Sequence, residues 1–322
     1  MARFWKAWGP AAMPALLLCA LAPGAPAGAT GASCVRTVQA PFIDAVIAGQ
    51  PVRLRLDFAA TVPVLLTPEA AARLALAGDT RPGTKEKPDR GSLISSVGRK
   101  RVRIAWSREA VAIDGVVQPM EVLTPAGYAA GGADGSIRPS ALPCAVVRLE
   151  QRAARTGDAE TVLPLMGGDR FDALTVRAMA GTEAIEVVHA PWRGQSMGTA
   201  STGGALAALL GGGLTGPVVE TPVVYGVTRP ARLLKLDRPW RVSGVQLGEM
   251  LMRVNDWEGR GPVPPDADLD RELIQVTARK NAQRGLRFLQ LGQDVLGSCA
   301  SLEWRREARV LVVRCPQPSG AG

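Results

Sequence analysis

Few side chains in this chain are equipped for chemistry, and their spacing narrows the choice. Its 322 residues include a single histidine, His189, and five cysteines. One of these, Cys19, falls in an apolar leader, which leaves Cys34, Cys144, Cys299 and Cys315. No Cys-x-x-Cys pair occurs, so neither a zinc site nor any other metal or cofactor is expected. The run Asp266-x-Asp268-x-Asp270 imitates the opening of a calcium loop. It has Arg271 where the turn needs glycine and Thr277 where the loop needs its closing acid, so it reads as a solvated insertion. Gly203-Gly204 and Gly211-Gly212-Gly213 lack the Gly-Lys-Ser/Thr of a phosphate loop and read as helix termination. What remains is Asp57, at the end of the strand-like run Pro51–Asp57, together with His189. As a pair they would form a general acid–base couple with His189 as the base. The alternative is structural, with Asp57 bonding loop amides and His189 a partly buried loop residue.

The elements that would position these residues come from a chain that is 47% hydrophobic but only 4% aromatic. Val, Leu and Ala must therefore do most of the packing, which favours many short strands. The formal charge of +9 includes Arg3 and Lys6 of the leader. The other basic residues are interleaved with acids and form no basic stripe with aromatics, so nucleic acid is not an expected partner. Residues 1–29 read as a signal peptide: a basic start, the apolar run Ala11–Ala22, then small-residue cleavage sites at Ala25-Pro26-Ala27 or Ala27-Gly28-Ala29. That run is too short to span a bilayer and no longer one follows, so no integral membrane segment is expected after cleavage. The expected location is periplasmic or secreted. In that oxidising setting four cysteines read as two disulfides. Of the three connectivities, Cys34–Cys144 with Cys299–Cys315 is preferred, each tying a domain's ends or its closing hairpin.

The chain passes twice through one plan. The first pass pairs strands Ala40–Ile47 and Pro51–Asp57, then opens a helix at Thr67-Pro68-Glu69, with Thr67 as N-cap and Pro68 at the first helical position. Strands follow at Val102–Trp106, Val111–Ile113 and Val116–Leu123, the last two joined by the turn Asp114-Gly115. The second pass has strands Ala173–Met179 and Ala184–Val188, a helix at Thr199–Leu210 and strands Val218–Val227 and Arg232–Leu236. Trp240–Val245 mirrors Val111–Val116. A repeat of about 140 residues is two copies of a domain rather than a solenoid.

With Pro51-Val52-Arg53-Leu54-Arg55-Leu56-Asp57 and the helix opened by Thr67-Pro68-Glu69, the chain resembles the bacterial retropepsin-like aspartic proteases. Leu291-Gly292-Gln293-Asp294-Val295-Leu296 and the terminal hairpin around Leu302-Glu303-Trp304 resemble that family's closing segment, of which Asp134–Leu142 is a poorer copy. The resemblance implies a mainly β, two-lobed pepsin-like acid protease fold with short helices. It divides the chain into signal peptide 1–29, lobe one at 30–166, lobe two at 167–317 with an insertion at 258–287, and a tail at 318–322. It also implies two facing carboxylates that share one proton and hold the attacking water. This sequence departs from that pattern at both loops. The first reads Asp57-Phe58-Ala59, without the family's hydroxyl and glycine. Aligning Thr199 on Thr67 sets His189-Ala190-Pro191 opposite it, with no second acid.

The expectation is therefore an exported protein with impaired catalysis, binding extended polypeptide in a cleft between the lobes. Asp57 and His189 are the catalytic candidates. Phe58, Ala59, Ala190 and Pro191 would line the cleft floor, and Val97 and Gly98 would sit in a flap at Ser95–Arg99. One alternative is an active aspartic endopeptidase using Asp57 with a non-standard second acid or in a homodimer. Another is a structural envelope protein with no cleft ligand. Within the insertion, Glu272–Arg279 looks like a contact box for an envelope protein partner.

Overall fold

The computed structural model describes residues 35–38, 41–76, 89–97, 100–166, 174–254 and 287–317. The signal peptide, Cys34, Gly98, the contact box and all of the insertion but Arg287 lie outside these residues. The described chain is mainly β. Its first part contains β1 (Val35–Val38), β2 (Phe42–Ile47), β3 (Gln50–Leu56), β4 (Val64–Leu66), α1 (Pro68–Arg73) and β5 (Arg90–Val97). It continues through β6 (Lys100–Ile113), β7 (Val116–Pro125), β8 (Gly135–Ile137), β9 (Val146–Glu150) and β10 (Asp158–Pro164). Next come β11 (Val176–Ala180), β12 (Glu183–His189), β13 (Met197–Gly198), α2 (Ala200–Leu210), β14 (Gly212–Val224) and β15 (Val227–Val242). The chain closes with β16 (Val245–Arg253), β17 (Phe288–Leu291), α3 (Gln293–Leu296), β18 (Ser301–Arg305) and β19 (Val310–Pro316).

Two seven-stranded sheets share one strand order. The first runs β2-β3-β8-β4-β7-β6-β5 and the second β11-β12-β17-β13-β16-β15-β14. In the first, β2 also pairs with β6, curling the sheet toward a barrel. A five-stranded sheet, β1-β9-β18-β19-β10, draws strands from both ends of the chain. All three feed a single buried cluster that includes Leu54 and Ile137 from the first sheet, Val187 and Leu289 from the second, and Leu302 and Leu311 from the third.

Local chemistry explains the elements. Thr67 accepts a bond from the Ala70 amide and Pro68 starts α1, while Thr199 caps α2 in the same way through the Thr202 amide. The turns Asp114-Gly115 and Ser243-Gly244 both take positive φ at each residue, as a tight two-residue hairpin requires. The expected strand Val218–Val227 does not run through. It breaks at Tyr225-Gly226, another turn of the same kind with φ of 53° and 74°. The Cys299–Cys315 disulfide is present at the closing hairpin. Cys144 is also disulfide-bonded.

The inner short strand β8 is the tightest point of the first sheet. It is sandwiched parallel to β3 and antiparallel to β4. A Cβ at Gly135 would lie 2.1 Å from the Leu65 carbonyl oxygen, so only glycine lets β4 approach. Gly135→Ala must push backbone against backbone, and the expected cost is about 2–4 kcal/mol, read as a lowered urea midpoint.

Candidate functional site

Asp57 leaves β3 at the point where the chain turns toward β4. Its amide donates to Ile137 O at 2.8 Å, and its carbonyl accepts from the Ala60 amide at 3.3 Å. Its carboxylate bends back on the loop, with Oδ1 accepting from the Ala59 amide at 2.7 Å. The residue is buried, with 8% of its surface exposed. Burial pushes its pKa up to about 7, against the opposing pull of the Ala59 amide, the Arg55 charge, the Ala60 amide and the Arg193 charge.

The second sheet repeats this loop one position further on than the helix alignment implies. The Ala190 amide donates to Leu291 O at 2.8 Å, and the Arg193 amide donates to Ala190 O at 2.9 Å. Ala190 therefore takes the place of Asp57, and Arg193 that of Ala60. His189, expected opposite Asp57, instead occupies the place of Leu56, the last residue of its strand. The slip arises because the loop running to the helix cap is one residue shorter in the second sheet. The substance of the expectation is unchanged, since no acid stands at either register.

His189 is fully buried, and neither ring nitrogen has a hydrogen-bond partner among the described residues. Burial alone holds its pKa down to about 3, so the ring is neutral. Its charge state is not among the influences on Asp57. Phe58 is fully buried in the core, and Ala190 and Pro191 are buried as well, while Ala59 and Val97 are half-buried.

The structure instead gathers a basic and aromatic set around Asp57 that the sequence reading did not single out. The Arg55 guanidinium lies over the Trp192 ring, 5.2 Å from its centroid, a contact that joins β3 to the second loop. Tyr128 donates its hydroxyl to Ser136 Oγ at 2.7 Å, and burial raises its pKa, with the Asp57 charge adding to the effect. The Arg193 guanidinium donates to Pro222 O at 2.6 Å and to Val223 O at 3.2 Å, tying the second loop to β14. Alternation along β3 could have indicated Arg55, two residues before Asp57. Nothing in the sequence pattern marks Arg193.

Among the described residues no group of His, Cys, Asp and Glu could hold a metal ion, and no helix is long and apolar enough to cross a membrane. A cavity of about 630 Å³ lies beside the site, between Tyr128, the loop that follows it and the face of α1 bearing Glu69 and Arg73. Asp57 does not line it.

No family model matches the chain, and no curated protein matches it. Among solved structures it is similar to the retroviral protease-like domain of Ddi1 from Leishmania major. The identity is 16%, over 31% of this chain and 73% of that chain, with a TM-score of 0.21. At that score the likeness contributes nothing to the reading of the site.

The two buried groups titrate against stability from opposite sides. Between pH 3.8 and about 7 the folded protein keeps a proton on Asp57 that the unfolded chain has shed, so this group costs stability as pH rises. Between 6.5 and about 3 the unfolded chain binds a proton at His189 that the folded protein refuses, so this group costs stability as pH falls. Relative to wild type, Asp57→Asn is expected to gain stability as pH rises from 4 to 7, and His189→Leu as pH falls from 6 to 4. Each gain should approach about 1.4 kcal/mol per pH unit, read from urea denaturation at several pH values.

Proposed function

We propose that this chain is an exported member of the retropepsin-like, pepsin-fold class that has lost dyad proteolysis and holds extended polypeptide between two lobes. The lobes are residues 30–166 and 167–317, the second carrying the insertion 258–287, and the mature chain begins after residue 29. The shared strand order of the two seven-stranded sheets supports the lobes, as does a third sheet that combines β1, β9 and β10 with β18 and β19. Disulfide-bonded Cys144, Cys299 and Cys315 accord with a periplasmic or extracellular setting; Cys34 is the proposed partner of Cys144.

One observation carries the loss of proteolysis: Ala190 stands where the second acid belongs, and the charge reaching Asp57 across the site is that of Arg193. A pepsin-type site needs two carboxylates sharing one proton, so that each tunes the other. A single carboxylate leaves no second oxygen pair to hold a water, and a cation in place of the second acid offers no site for a shared proton. The homodimer alternative loses ground as well, because the chain's own Trp192 already lies over Arg55 beside Asp57. Polypeptide binding is supported by β5, an edge strand among the described residues, which exposes Leu93 and Ile94. An extended peptide can add to such an edge through its backbone without any carboxylate. The structural reading, with no cleft ligand, draws on the apolar cluster in which Val227 and Tyr225 pack against Leu65, Ile104 and Leu123.

The purified mature protein and Asp57→Asn, incubated with a diverse peptide mixture from pH 3 to 8 and read by mass spectrometry, are both expected to leave every peptide uncut. Cleavage by wild type that disappears in Asp57→Asn would overturn the proposal. Peptides retained on the immobilised protein would identify the ligand class, and retention of none would move the reading to the structural alternative.

A further inference from the structure

Strands β5 and β14 hold the same place, last in order, in the two seven-stranded sheets. Their sequences treat that edge in opposite ways. β14 carries Pro217 and Pro222, which have no N–H to offer a neighbour. Its register on β15 also shifts, between Thr215 and Val219 and again between Pro222 and Val224. β5 contains neither proline nor acid and pairs with β6 residue for residue, from Arg90 opposite Ser107 to Val97 opposite Lys100. A regular edge strand without such a blunting device is a template for a further strand.

The two faces of this edge differ in chemistry. Arg103 stands opposite Ile94 and Arg101 opposite Ser96, and both arginines are exposed. Alternation sets Ile104 and Val102, opposite Leu93 and Ser95, on the other face, where they belong to an apolar cluster with Leu65 and Leu123. From Lys100 to Arg108 β6 has no acid, and Glu109, its first, is paired with Arg90 at 3.1 Å. We propose that the outer edge of β5 takes an extended polypeptide segment in which acids alternate with apolar residues. The acids meet Arg101 and Arg103, and the apolar side chains continue the face of Leu93 and Ile104. This rests on the polypeptide-binding reading and names the class of polypeptide. Neighbouring strands lie about 4.8 Å apart, so a Glu on the added strand and an arginine on β6 meet over β5. A second copy of the chain fits poorly, because pairing two β5 edges about a two-fold axis sets two rows of arginines on one face.

The test titrates two labelled peptides into the mature protein, one alternating Glu with Val and one alternating Lys with Val, and reads hydrogen exchange over residues 90–97. The Glu/Val peptide is expected to bind about tenfold or more tightly than the Lys/Val peptide, to slow exchange in residues 90–97 and to weaken with added salt. In Arg101→Glu/Arg103→Glu, a change at exposed positions, the preference should turn over to Lys/Val. Equal binding of the two peptides, or a preference that the reversal leaves unchanged, would overturn the acidic class and leave polypeptide binding standing. Peptide retained without protection of residues 90–97 would overturn the edge as its site, and retention of none would overturn both readings. The chain's own Asp266-Ala267-Asp268-Leu269-Asp270 carries the same alternation. Exchange in residues 90–97 that quickens without peptide when these three acids are changed to Asn would assign the edge to that segment. A dimer in sedimentation that protects the same residues would assign it to a second copy. Either result would overturn the proposal.

Discussion

The structure turns on one carboxylate buried without a second to share its proton. Asp57 follows the last residue of β3, its oxygen turned back onto the Ala59 amide and its charge met by those of Arg55 and Arg193. A buried lone acid is costly unless it is neutral or paired with a cation, and here both escapes are available. The raised pKa keeps part of the population protonated near neutrality, and the arginines stabilise the remainder. Around it Arg55 lies over Trp192, Tyr128 donates to Ser136 and Arg193 is anchored on the β14 carbonyls. The net result is a raised pKa, so that charging Asp57 costs stability in the folded protein.

Gly226 packs on Gly127 and Arg229 holds Val97, so the β14–β15 hairpin is fastened to the turn after β7 and to the β5–β6 hairpin. Both contacts use backbone as one partner, so they depend on side-chain identity only at the two glycines and at Arg229. The inner strands β8 and β17 supply the rigid floor beneath, and Gly135 and Gly292 allow it to close. A Cβ at Gly292 would lie 2.6 Å from Gln195 C and 2.8 Å from Arg193 O, so this glycine helps to set where Arg193 stands.

What the sequence made legible was local chemistry with a strong physical signature. The cap and proline of α1, the cap of α2, the turns Asp114-Gly115 and Ser243-Gly244 and the Cys299–Cys315 bridge all follow from residue types whose preferences are steric or covalent. The strand pair ending at Asp57 was legible from alternation. Element lengths were not: β6 runs unbroken from Lys100 to Ile113 because its partners β5 and β7 carry it through the gap between two expected strands. The register of the second loop was misread by one residue, because an alignment on helix caps cannot see that the loop before the cap is shorter. Tyr225-Gly226 was read as strand although its dipeptide permits the same turn as Ser243-Gly244. Arg193 carried no signal, since a residue that acts across two loops distant in sequence leaves no periodicity behind.

The central claim is that Asp57 titrates alone, with Ala190 at the equivalent position of the second loop and Arg193 as the charge from that loop. Its most direct test is the carboxyl carbon resonance of Asp57, followed by NMR across the acid-to-neutral range in the wild-type protein and in Ala190→Asp. The account predicts a single transition near 7 in the wild type. Restoring an acid at position 190 should split it into two coupled steps, one below and one above the original, as facing carboxylates require. An Asp57 transition near its ordinary value of about 4, unmoved by Ala190→Asp, would contradict the account.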